Sequence, residues 1–242
     1  MHKIKEKISM KKLKRVLALA MAVILSVPTI ITTGTGTVPV KAAGDTVELT
    51  VSSESAKYAG YETRKMYAGG NYAYCVQPSK KTPQSGTYEK HYDVENYVSN
   101  AGDETQAVQS RNLAYYCWGA PGFNASYFPS TWYDGSAMDD DKYIALSHIM
   151  LSFLVSYDEV GSMHGCNSSF KNWVYQNVLG YNANGDLVNG QATLPILCWS
   201  AAPASFKVYI LSTGSATQNI LGYEYTPTGT VSLSKTSANT GI

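Results

Sequence analysis

The start of the chain decides where it folds before it says how. Lys3, Lys5, Lys7, Lys11, Lys12, Lys14 and Arg15 crowd the N-terminus, and an apolar run over 16–27 follows them. A small-residue stretch then ends in Val40-Lys41-Ala42-Ala43. A basic segment, a short apolar segment and a Val-x-Ala site are the three parts of a secretory signal peptide. The clean apolar run of about a dozen residues is short of the ~20 that a membrane span needs. The sequence therefore predicts a signal peptide over 1–43, no membrane span after its removal, and a domain that folds in an oxidising place. Removal also changes the charge. The formal +1 of all 242 residues becomes eleven basic against seventeen acidic side chains, a net of −6. That balance excludes nucleic acid and anionic membrane as partners of the mature chain.

Export sets how Cys75, Cys117, Cys166 and Cys198 are read. An even count of cysteines outside the cytoplasm points to disulfides, with Cys166–Cys198 as the preferred pair and Cys117 left free. The absence of a close Cys-x-x-Cys pair argues against structural zinc, and no motif implies a metal or cofactor. Four cysteines are too few to staple a chain of this length. With 44% hydrophobic residues and nineteen tyrosines, core packing must hold it.

Hydrophobic patterning predicts strand, then helix, then strand. Val47, Leu49 and Val51 alternate over 46–53, and 58–78 reads as a hairpin around Gly69-Gly70. A polar loop with Pro83 follows over 79–86. A short helix is expected over 94–100, then a longer one over 104–116 with Val108, Leu113 and Tyr116 inward. Asp139-Asp140-Asp141 precedes a buried helix over 143–157. Three contiguous aspartates suit a helix cap better than a calcium loop, which takes ligands from alternating positions. Further on, 170–179 reads as helical, Asn184-Gly185 and Asn189-Gly190 mark turns, and 206–211 and 219–225 form a hairpin. The fold class is α+β: an antiparallel sheet or sandwich with an inserted helical subdomain.

Several segments of 58–227 also carry a resemblance. Tyr74-Cys75-Val76-Gln77-Pro78, with Gly86-Thr87-Tyr88 after it, resembles the Tyr-Cys-Φ-x-Pro opening of thioester domains from Gram-positive surface adhesins and pilus tips. Tyr115-Tyr116-Cys117-Trp118-Gly119-Ala120-Pro121-Gly122 is similar to a segment of a related branch, the VaFE-repeat surface-anchored proteins. Leu146-Ser147-His148-Ile149-Met150-Leu151-Ser152-Phe153 resembles that branch's Leu-Thr-His-x-Ala-x-Ser-Tyr helix. Phe206-Lys207-Val208-Tyr209-Ile210, followed by Gln218, resembles its closing hairpin. The resemblance implies a thioester-domain-like adhesin domain over 44–227. In such a domain a Cys thiolate displaces ammonia from a Gln carboxamide, leaving an acyl-thioester for an amine on a target surface. It implies a single-turnover covalent adhesin rather than a turnover enzyme, with a host-surface protein or glycan as partner.

Cys75 is the matching thiol. The family's helix glutamine corresponds to His148, which has no acyl carbon, so another glutamine must serve or the bond is lost in this branch. Gln176, in Tyr175-Gln176-Asn177-Val178-Leu179, is the candidate; Gln106 arrives too early in the order, and Gln77 alternates away from Cys75. His148 is also read as a base beside Cys75, or as a core residue. A Cys–His pair supports the alternative of a hydrolase or acyl transferase, with Ser147 or Ser152 as orienting groups; a non-covalent binding module is the third reading. Finally, 228–242 resembles the opening strand of Ig-like stalk domains. Lys235 stands where that strand's lysine forms an isopeptide bond, which implies attachment to the cell wall through downstream stalk domains.

Overall fold

The computed structural model describes residues 45–182 and 186–227. The expected signal peptide, the Asn184-Gly185 turn, Lys235 and the stalk segment 228–242 lie outside the described residues. The fold is α+β. Six strands run β1 Thr46–Tyr58, β2 Tyr61–Ala68, β3 Asn71–Cys75, β4 Gly86–His91, β5 Phe206–Leu211 and β6 Ile220–Tyr225. The helices α1 Glu104–Tyr116, α2 Asp140–Ser156, α3 Glu159–Ser162, α4 Ser168–Trp173 and α5 Thr193–Trp199 all fall between β4 and β5. They form the insertion.

Every strand pair is antiparallel, in the order β1-β2-β3-β6-β5-β4, and β4 returns to β1 to close a barrel. The antiparallel sheet that hydrophobic patterning suggests is present, and it closes on itself. Closure rests on β4, which pairs Gly86–Glu89 with Leu49–Thr46 on one side and Lys90 and His91 with Leu211 and Ile210 on the other. A closed barrel leaves no strand edge open to another chain. The β2–β3 turn is Gly69-Gly70, with φ of +57° and +83°, the left-handed pair that a tight hairpin matched to strand twist requires.

Alternation along β3 joins barrel and helices. Ala73 and Cys75 pack into the barrel interior with Leu49, Met66, Tyr209, Leu211 and Ile220. Tyr72 and Tyr74 face the other way, into the core shared with α1 and α2. Helix α2 is buried from Ile144 to Val155, which an all-round apolar sequence demands. Its start is fixed by Asp139, whose Oδ1 accepts from the Lys142 backbone N–H at 3.0 Å. Its end is fixed by Tyr157, left-handed at φ +53°.

Helix α1 has the expected bounds and buries Leu113 as expected, but most of its buried face is polar. Val108 is 54% exposed, while Gln106, Gln109, Ser110 and Asn112 are buried beside Leu113. The polar face is tolerated because it is bonded. Gln106 Nε2 donates to the Leu154 carbonyl and to Ser99 Oγ (3.0 Å), and Asn112 Nδ2 donates to the Cys198 carbonyl at 3.0 Å. The 170–179 helix is two pieces, α4 and then a π-helical stretch Val174–Leu179 ending at Gly180, φ +78°. The short helix expected over 94–100 is a single 3-10 turn, Val94–Asn96.

Candidate functional site

Cys75 is the last residue of β3 and is buried at 2% exposure. Its Sγ lies 3.2 Å from His148 Nδ1 and 3.4 Å from Nε2, so the imidazole of α2 rests against the sulfur. His148 is buried too, and its Nδ1 shares a hydrogen bond of 3.3 Å with Thr63 Oγ1 of β2. The residue after the thiol is held from two sides. The Val76 N–H donates to the Asn219 carbonyl at 3.1 Å, and Ser156 Oγ of α2 donates to the Val76 carbonyl. The Tyr115–Gly122 segment closes over β3: Trp118 packs edge-on to Tyr72 at 5.1 Å, Tyr74 donates to the Trp118 carbonyl, and Trp118 N–H donates to Ser147 Oγ at 3.0 Å. Gly119 sits so close to Tyr72 that a Cβ there would fall 2.9 Å from the tyrosine Cβ.

Burial dominates the electrostatics. It pushes the Cys75 thiol well above its ordinary value; a hydrogen bond from Thr63 works against this and the charge of Asp158 adds to it. It lowers His148 to about 4. At neutral pH the resting pair is therefore a thiol beside a neutral imidazole, not a thiolate–imidazolium pair. The ring's hydrogen-bond partner besides the sulfur is a hydroxyl, not a carboxylate, and Ser152 Oγ is spent on the His148 carbonyl at 2.7 Å.

The glutamines sort by position. Gln176 is exposed on the π-helical stretch and is not brought to Cys75. Gln106 is bonded at the far end of α2, and Gln77 Oε1 accepts from Asn219 N–H at 3.2 Å. Gln218 is the one that local pattern does not single out. Cys75 pairs directly with Ile220 across the β3–β6 ladder. Gln218 precedes Ile220 by two positions, just ahead of β6, and its backbone N–H donates to the Lys81 carbonyl at 3.0 Å. Its side chain is 6% exposed; Nε2 donates to the Lys80 carbonyl at 3.0 Å, while Oε1 is buried with no hydrogen-bond partner. It lines a cavity of about 200 Å³ together with Tyr61, Thr63, Met66 and Thr82, with Glu62 and Arg64 at the rim. Thr63 is thus the shared wall between the glutamine and the Cys75–His148 pair.

All four cysteines are free thiols, so the expected Cys166–Cys198 bond is not formed. Cys198 on α5 neighbours Cys117, whereas Cys166 lies near Tyr58 and Tyr61. The three aspartates act as caps and anchors: besides Asp139, Asp140 accepts from Trp118 Nε1 at 3.1 Å and Asp141 pairs with Lys65 at 3.6 Å. Among the described residues, no group of three His, Cys, Asp or Glu side chains is placed to hold a metal ion, and no helix is long and apolar enough to cross a membrane.

Comparison with known proteins bears on Cys75 and His148, while Gln218 lies beyond the matched range. A family model described as "Thioester domain" matches residues 46–184. No curated protein and no solved structure matches the chain.

Proposed function

The chain belongs to the thioester-domain family, and from that premise we propose that it attaches covalently to a surface through a bond between Cys75 and Gln218. One observation carries the reading: a buried carboxamide with an unpartnered oxygen, two residues before Ile220, the ladder partner of Cys75, lines a cavity whose Thr63 wall bonds the His148 ring that touches the thiol. The reaction needs no outside reagent. Cys75 Sγ attacks the Gln218 side-chain carbonyl carbon, the neutral His148 ring takes the thiol proton, the carbon–nitrogen bond breaks, and the proton leaves with ammonia. Burial of Cys75 in the barrel interior, against His148 of α2, keeps water from the product, so the acyl group lasts until a nucleophile on a partner replaces the sulfur.

In this reading the mature domain is exported by its signal peptide and belongs to the VaFE-repeat, surface-anchored branch. Downstream Ig-like stalk domains, beginning near Lys235, fix it to a Gram-positive cell wall or pilus, and the partner is a protein or glycan on a host surface. A Cys–His hydrolase is the less supported alternative. The Cys75–His148 contact suits it, but a neutral pair with a hydroxyl in place of the orienting carboxylate does not.

Intact-mass spectrometry of the secreted protein tests the proposal. The wild type is expected to be lighter by one ammonia and to regain mass by coupling methylamine; Gln218→Ala and Cys75→Ser are expected to show full mass and no coupling. Gln176→Ala is expected to behave as the wild type. A full-mass wild type, or loss of ammonia that survives Gln218→Ala, refutes the assignment.

A further inference from the structure

Resting on that thioester reading, we infer that Asp158 is a positioning residue: through Ser79 it latches the 77–82 loop, and the loop sets the Gln218 carboxamide for attack by Cys75. The loop is what grips the glutamine. Gln218 Nε2 donates to the Lys80 carbonyl at 3.0 Å, and its backbone N–H donates to the Lys81 carbonyl at 3.0 Å. Lys81 forms a parallel bridge with Thr217, and Gln77 Oε1 accepts from the Asn219 N–H at 3.2 Å. Thr217, Gln218 and Asn219 are thus each tied to the loop, and Thr82 carries it into the wall of the Gln218 cavity.

The Lys80 carbonyl has a particular part in this. Gln218 Oε1 is buried without a partner, so the bond from Nε2 is what orients the carboxamide. When Cys75 Sγ bonds to the amide carbon, the carbon–nitrogen bond breaks and the thiol proton leaves with ammonia. The nitrogen that departs is the one the loop holds. A loop displaced by about 1 Å would turn the carbon away from the sulfur, and a misplacement of that size costs about a hundredfold in rate.

The loop's own backbone does little to fix it. It runs between β3 and β4 with a turn bond from Lys80 N–H to the Gln77 carbonyl at 2.9 Å, and Pro78 has no N–H to give. Asp158 supplies the outside anchor. It stands at the N-cap position of α3, where an aspartate ordinarily accepts from its own helix, yet its side chain makes no such bond. Instead Oδ2 accepts from the Ser79 N–H at 2.8 Å and Oδ1 accepts from Ser79 Oγ, a charge-assisted pair. Gly161 leaves room for this: a Cβ there would fall 2.5 Å from Ser79 Oγ and 2.8 Å from Asp158 Oδ1. The carboxylate's charge does not help the thiol. Burial pushes Cys75 up, and Asp158 pushes it the same way, so what the site gains from Asp158 is its hydrogen bonds.

The test times the loss of ammonia. A chain made by cell-free translation begins with an intact carboxamide, so intact mass sampled after synthesis stops follows the reaction, and protease resistance of the same samples follows folding. Asp158→Ala is expected to become protease-resistant as the wild type does and to lose ammonia about a hundredfold more slowly. Ser79→Ala, which removes only the hydroxyl bond, is expected to be slowed by less. Asp158→Asn is the rescue: its amide can accept from the Ser79 N–H and donate to Ser79 Oγ, so it is expected to react at nearly the wild-type rate. A role through charge requires Asp158→Asn to behave as Asp158→Ala. Folded Asp158→Ala that loses ammonia at the wild-type rate, or Asp158→Asn as slow as Asp158→Ala, overturns the inference and leaves the thioester standing. If Asp158→Ala does not fold, Ser79→Ala decides, and a wild-type rate there overturns the inference. A wild type that keeps its full mass removes the thioester reading and this inference with it.

Discussion

Acidification is the perturbation that most directly probes the buried imidazole. His148 falls from 6.5 to about 4 because burial disfavours its charged form. The unfolded chain therefore takes up a proton at a pH where the folded protein refuses it. The contribution to stability is complete above pH 6.5, shrinks as pH falls through the interval down to about 4, and is gone below it. A drop of that size corresponds to about 3 kcal/mol, a large fraction of the 5–15 kcal/mol that holds an ordinary domain. The experiment is urea denaturation of Cys75→Ser, which removes any cross-link while leaving His148 buried, beside the double variant Cys75→Ser/His148→Gln. Near pH 7 the two differ by a pH-independent packing term. Near pH 4 the single variant, which keeps the imidazole, is expected to have lost about 3 kcal/mol more than the double variant. A difference between the two that is flat across this range refutes the claim that His148 is buried neutral.

Other expectations follow from packing. Gly119→Ala introduces a Cβ 2.9 Å from Tyr72 Cβ at φ +83°, and a loss of about 1–3 kcal/mol is expected in thermal unfolding. Asp139→Ala removes the cap of α2 and is expected to cost about 1 kcal/mol by urea denaturation, leaving the Cys75–Gln218 chemistry intact. Phe206→Ala empties a fully buried site between Tyr115 and Tyr223 and is expected to cost about 3–5 kcal/mol, read as a lower urea midpoint with unchanged slope.

Local pattern carried the hairpins and the two long helices because their signals are local: Gly69-Gly70, the cap at Asp139, and apolar runs of one period. It carried the Cys75–His148 contact through motif order alone. It did not reach barrel closure. Gly86-Thr87-Tyr88-Glu89-Lys90-His91 has almost no apolar content, and its strand exists because β1 and β5 flank it. Nor did it reach α5, a short helix with Pro195 in its first turn. The glutamine is the sharpest case. Gln176-Asn177-Val178-Leu179 and Gln218-Asn219-Ile220-Leu221 are the same local pattern, one on an exposed helical face and one entering a strand. Only the long-range pairing of Ile220 with Cys75 separates them.

The place of β6 beside β3 has a mechanical consequence. In the reading proposed above, the partner hangs from the Gln218 side chain after transfer, and the covalent route from there toward the C-terminal side runs directly along β6. The helical insertion, α1 to α5, and strands β1 to β5 all lie on the other side of Gln218 in the chain. In that reading a tensile load between partner and a downstream anchor passes through one strand of backbone and bypasses the rest of the domain. Force that peels β6 from the barrel would unravel the fold and still leave the tether unbroken.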